Sequence, residues 1–131
     1  MQKYYHKYTE SEILYITKDN KEILHCLQQH DHIKYIQIEM HGFNEQIQYL
    51  PQSLEVLIFG FYYNQILPEL PSTLRVLKFG YHYNQVLPKL PSKLRILSFE
   101  VIYNQPLLEL PPKLKILDFG TDYNHKLPEL P

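Results

Sequence analysis

The stretch LRVLKFGYHYNQVLPKLPSK, residues 74–93, decides the fold, because its pattern recurs at a fixed spacing of twenty residues. Leu57, Leu77, Leu97 and Leu117 fall in one column; Phe59, Phe79, Phe99 and Phe119 in a second; Tyr63, Tyr83, Tyr103 and Tyr123 in a third. A repeat of this length marks a solenoid, in which each copy is one structural layer stacked on the next. In LRVLKF, Leu77 and Phe79 alternate with Val76 and Lys78, the period of a strand with one buried face. The column after the second leucine reads Ile58, Lys78, Ser98, Asp118. Such variation marks solvent, whereas the unvarying Leu and Phe columns mark the core. Gly60, Gly80 and Gly120 end the strand, where glycine permits positive φ or close approach between layers; Glu100 breaks that column.

The tyrosine column is expected to point inward and stack on its copies, with each hydroxyl needing a partner if fully buried. Asn64, Asn84, Asn104 and Asn124 read as a structural ladder. A buried asparagine offers two donors and one acceptor, enough to satisfy turn backbone in its own layer and the next. In the return leg QVLPKLPSK, residues 85–93, Pro88 and Pro91 exclude a helix interior. That leg is expected to be extended or polyproline II, with Leu87 and Leu90 pointing in.

Working outward, the regular copies span 54–73, 74–93, 94–113 and 114–131. Residues 33–53 form a degenerate first copy in which Ile33, Ile36 and Ile38 take the spacing of Leu54, Leu57 and Phe59. One extra residue is expected at Met40–Gly42, where an insertion costs least. Residues 1–32 are expected to form a cap with one short helix over 19–30. Asp19 or Asn20 can cap it, Glu22 completes a capping box, and Ile23, Leu24 and Leu27 share a face. The run ILYI, 13–16, fits a strand or a short helix equally.

Composition narrows the function class. The 131 residues suit one domain with one core. Thirteen basic against 14 acidic side chains give no general attraction to nucleic acid or anionic membrane. Arg75, Arg95 and Lys115 could track phosphates, but Glu55 heads their column. The single cysteine, Cys26, excludes an intramolecular disulfide and fits a reducing compartment. With no apolar run long enough to span a bilayer and no signal-peptide pattern, the expected location is cytoplasmic.

The string LxxLxFGxxYNQxL resembles the leucine-rich repeat, with its asparagine two residues later. It is more similar to the FNIP repeat family, named for a Phe-Asn-x-Pro-Ile string. Tyr103-Asn104-Gln105-Pro106-Leu107 and Phe43-Asn44-Glu45-Gln46-Ile47 carry that resemblance. It covers residues 33–131, and the period here is twenty rather than the family's usual length of about 22. The resemblance implies a family found chiefly in giant DNA viruses and social amoebae, with no catalytic residues to carry over. Some members carry an N-terminal F-box that recruits a ubiquitin ligase; residues 1–30 do not match its pattern. The expected fold is thus an LRR-like β-solenoid, with a parallel sheet on one face, extended Pro-rich segments on the other and a short N-terminal helical cap.

The sheet face and adjoining turns offer Val56, Ile58, Phe61, Val76, Lys78, Tyr81, Ile96 and Ser98 as partner-binding residues. Ile116, Asp118, Tyr62 and His82 extend this set. A contiguous exposed patch of aliphatics and aromatics marks a protein contact. Alternatively, an N-terminal segment covers the face, or sheet propensity alone accounts for its Val and Ile. Cys26, His30 and His32 could offer metal ligands, but three scattered ligands do not close a site, so no metal or other cofactor is expected. No phosphate loop, nucleophile elbow or HExxH occurs, so no enzyme is expected. The functional expectation is a non-enzymatic scaffold that binds an unknown protein partner through the sheet face. The alternative is a structural or vestigial repeat fragment with no partner. The last layer, with Leu114, Leu117 and Phe119, is expected to expose a free strand edge through which copies self-associate.

Overall fold

A computed structural model describes residues 7–131. Six short strands form one parallel sheet in sequence order: β1 (Ile13–Ile16), β2 (Tyr35–Ile38), β3 (Val56–Ile58), β4 (Val76–Lys78), β5 (Ile96–Ser98) and β6 (Ile116–Asp118). The pairing follows the repeat: Leu57, Leu77, Leu97 and Leu117 stand opposite one another. From β2 to β3 the register is Ile36 to Leu57, an offset of twenty-one. Asn44 meets Asn64 at an offset of twenty. The additional residue therefore lies between them, in the turn after β2.

Each layer enters its strand through a turn closed on proline. The Leu54 N–H donates to the Pro51 carbonyl at 3.1 Å, and Leu74 does the same to Pro71. The next two amides, such as Arg75 and Val76, both donate to one carbonyl of the preceding layer, Glu55, at 2.8 and 3.0 Å. No helix occurs in any return leg among the described residues.

Leu54, Leu57, Leu74, Leu77, Leu94 and Leu97 have no exposed surface and line the interior. Beside them run two aromatic stacks. Phe59, Phe79 and Phe99 follow one another at 5.4 and 5.2 Å, nearly parallel. Tyr63, Tyr83, Tyr103 and Tyr123 follow at 6.2 Å. Within a layer, each Phe also stacks on its Tyr, at 4.0 Å for Phe79 and Tyr83. The tyrosines do point inward, yet the hydroxyls of Tyr83 and Tyr103 are buried without a hydrogen-bond partner. Burial raises the pKa of all four phenols.

The glycines serve close approach. No described residue has a positive φ. A Cβ at Gly80 would lie 2.2 Å from the Gly60 carbonyl oxygen, and one at Gly120 would lie 2.2 Å from that of Glu100. The column thus keeps side chains out of a space that the neighbouring backbone fills.

The N-terminal region corrects the expectation of one short helix. Ile13–Ile16 is a full strand, paired with Tyr35–Ile38, so a further layer precedes the first expected copy. Residues 19–30 hold two 3-10 turns, Lys21–His25 and Leu27–Gln29, broken at Cys26. The reason lies in Asn20, whose side chain serves the strand instead of the helix. Its Oδ1 accepts the Thr17 N–H at 2.8 Å, and its Nδ2 donates to the Tyr15 carbonyl at 2.9 Å. Leu24 and Leu27 still bury against the interior. A third 3-10 turn, Glu10–Glu12, precedes β1.

Candidate functional site

The sheet face does not present the uniform patch that the alternation suggests. Val56, Ile58 and Val76 are buried, at 1, 9 and 5 % exposure. They form a second apolar cluster with Tyr35, outside the main core, on which Tyr8, Ile13, Tyr15 and Ile96 pack. Tyr8 holds the N-terminal segment onto this face. Its ring lies 6.0 Å from that of Tyr35, and its hydroxyl donates to Glu55 Oε1 at 3.0 Å. Burial, and then the Glu55 hydrogen bond, raise its pKa. Lys7 Nζ lies 3.4 Å and Arg75 Nε 3.9 Å from the same carboxylate oxygen. Of the other residues expected there, Lys78, Ile96 and Ser98 are half-buried, and Ile116 and Asp118 are exposed.

The turns after the strands are more open. Phe61 and Tyr62 are 38 and 50 % exposed, while Tyr81 and His82 are half-buried. Phe61 stacks on Tyr81 at 5.1 Å, and Tyr62 on His82 at 4.8 Å, giving two parallel aromatic stacks one layer apart. Backbone bonds set this spacing: the Tyr62 N–H donates to the His41 carbonyl and the His82 N–H to that of Phe61, both at 3.1 Å. Phe61 and Tyr81 are thus brought together, while Val56, Ile58 and Val76 lie under cover.

Where this ridge meets the sheet face, a trough of about 320 Å³ opens. Gly60 and Gly80 form part of its lining, with Glu39 and Glu100. Gly60, Gly80 and Glu100 form one column; in the β2 layer Met40 takes the corresponding place, and Glu39 stands just before it, where the additional residue enters. Both glutamates are exposed and make no ion pair or hydrogen bond among the described residues. Glu39 went unremarked in the sequence, because it falls where the additional residue enters and no repeat column holds it.

Two side-chain ladders hold the other edge of each turn. The Asn64 N–H donates to Asn44 Oδ1 at 2.8 Å, Asn84 to Asn64 and Asn104 to Asn84 at 2.9 Å, and Asn124 to Asn104 at 3.0 Å. The glutamines follow: Gln65, Gln85 and Gln105 each donate Nε2 to the carbonyl of the preceding asparagine. These asparagines are half-buried or exposed rather than buried, and they act on the next layer through their acceptor oxygen.

On the opposite face, Leu87 and Leu90 are only half-buried and line a groove of about 360 Å³ with Val86, Pro106 and Leu108. Cys26 Sγ lies 3.8 Å from His30 Nε2, and the His30 and His32 rings lie 5.8 Å apart. No group of three or more His, Cys, Asp or Glu among the described residues is arranged to hold a metal. No helix among them is long and apolar enough to cross a membrane.

Residues 63–101 match the family model described as FNIP Repeat. No curated protein and no solved structure matches the chain.

Proposed function

We propose that this chain, whose central layers are FNIP repeat, is a non-enzymatic scaffold for protein–protein interaction. Its contact surface is the aromatic ridge and the C-terminal half of the sheet face rather than the whole face. The observation that carries this reading is the exposure of Phe61 and Tyr62 beside a trough that no described side chain fills. Aromatic side chains held rigidly at a surface supply contact area at low entropic cost, which is why they dominate the energetics of protein interfaces. The layered backbone supports the same reading, since each turn fixes its side chains by hydrogen bonds to the layers on either side.

The test is affinity capture from cells expressing tagged chain, with the wild type beside a Phe61→Asp/Tyr62→Asp variant whose fold is checked by circular dichroism. The expected result is a partner set that the variant loses. Recovery of the same proteins by both, or of nothing beyond the tag control, overturns the reading.

A further inference from the structure

We infer that the trough between Glu39 and Glu100 takes an extended basic peptide segment of the partner, with arginines four residues apart. This inference rests on the scaffold reading and gives the partner its chemistry. The trough lies where two successive layers carry glycine after the strand. Glu39 and Glu100 bear side chains, and the two layers between them carry Gly60 and Gly80. Glu100 lines the trough beside Gly80. The result is a bare floor with a carboxylate at each end and Phe61 along one side.

Three features select the occupant. The first is charge: both carboxylates lack a cationic partner among the described residues, and no Lys or Arg lines the trough. Lys78, one column back on the sheet face, does not reach its lining. The second is the aromatic wall. An arginine guanidinium can pair with a carboxylate and stack on an aromatic face at once, which a lysine ammonium does less well. The third is length. Glu39 and Glu100 stand three layers apart, about 14 Å at the usual strand spacing of roughly 4.8 Å. An extended chain advances about 3.4 Å per residue with alternating faces, so residues i and i+4 lie about 14 Å apart on one side. Residue i+2 then faces the floor at Gly60 and Gly80, beside Ile58, where an apolar side chain fits.

The test uses fluorescence anisotropy with labelled peptides. GRSLSRG has its arginines four apart; GRSLRSG has them three apart, which turns one to the opposite face; GESLSEG reverses the charge. The wild-type chain is expected to prefer GRSLSRG, with binding that weakens as salt rises. Two partly exposed ion pairs are lost in Glu39→Gln/Glu100→Gln, which should weaken binding by up to about thirtyfold. Phe61→Ala should weaken it further, and Glu129→Gln, an exposed carboxylate outside the trough, should leave it unchanged. Equal affinity for the two arginine spacings, or equal affinity of the wild type and the double Gln variant, overturns the inference. If no peptide binds while captured partners still depend on Phe61 and Tyr62, the basic-peptide assignment is wrong and the scaffold reading stands. If capture returns nothing, the scaffold reading fails whatever the peptides do.

Discussion

Removing one rung of the asparagine ladder should weaken the whole stack through a single oxygen atom. Asn84 Oδ1 accepts the Asn104 N–H at 2.9 Å and Gln105 Nε2 at 3.2 Å. In Asn84→Ala both bonds disappear. Gln105 retains the Asn84 carbonyl at 3.3 Å, so the group left stranded is the Asn104 amide, in a half-buried turn. A stranded donor costs about 1–3 kcal/mol, so the expected loss is about 2 kcal/mol. With an unfolding entropy of about 2.1 cal/mol/K per residue over 131 residues, that corresponds to a fall in Tm of about 7 °C. Urea unfolding followed by far-UV circular dichroism would read it, with tyrosine fluorescence as a second probe, since the chain has no tryptophan. Two companions isolate the cause. Asn84→Asp keeps an acceptor at the same place and should stay within about 0.5 kcal/mol of wild type. Asn124→Ala removes an oxygen that accepts nothing among the described residues and should cost equally little. Equal destabilisation by Ala and Asp at position 84, or none by either, would refute the acceptor account.

Other perturbations probe the interior and the N-terminal contacts. Gly80→Ala should destabilise by about 3 kcal/mol, because its Cβ would lie 2.2 Å from the Gly60 carbonyl oxygen. Gly42→Ala, with nothing within 4 Å, should stabilise by about 0.4–1 kcal/mol, and the two together are read by denaturant midpoints. Tyr83→Phe removes a buried hydroxyl that has no partner and should be neutral or slightly stabilising in the same assay. Alkaline titration adds a sign: burial holds the phenols of Tyr63, Tyr83 and Tyr103 neutral beyond 10.0, where the unfolded chain ionises. Stability should therefore be whole below pH 10 and fall above it, by about 1.4 kcal/mol per pH unit for each such phenol, with Tyr83→Phe reducing the slope by one share. At the acid end, the Thr9 N–H and then the Lys34 side chain pull the Glu12 carboxyl down to about 2. Its contribution should be present above pH 4.5 and lost as pH falls towards 2, and Glu12→Gln should flatten that part of the acid-stability curve.

What could be read from the sequence follows from what each layer must do alike. Leu77 and Phe79 recur because every layer fills the same interior, so their columns announced both the strand and its buried face. The tyrosine stack and the asparagine ladder were legible for the same reason: each bonds to its own copy one layer away. The failures lie where a residue answers to something outside the repeat. Val56 and Val76 occupy outward positions, yet they are buried beneath contacts from Tyr8, which lies outside the regular copies and is held by Glu55. No periodicity encodes that contact. Asn20 looked like a helix cap because Glu22 and the Ile23–Leu24–Leu27 face follow it. Its side chain instead ties Thr17 to Tyr15 at the end of β1, and the backbone beyond it tightens into 3-10 turns. Glu39 was hidden because it falls at the one-residue shift, outside every repeat column.

The trough also shows how a stacked fold can hold a site at all. Layers that approach closely enough to exclude a Cβ leave little freedom in the glycine column at Gly80 and Gly120. Structure and recognition make opposite demands on that column. Uniform glycine would perfect the stacking and leave nothing to bind with, while uniform side chains would force the layers apart. Gly60 and Gly80 satisfy both, because they keep the layers close and the floor clear while Glu39, beside the column, and Glu100, within it, stand at the ends of the cleft.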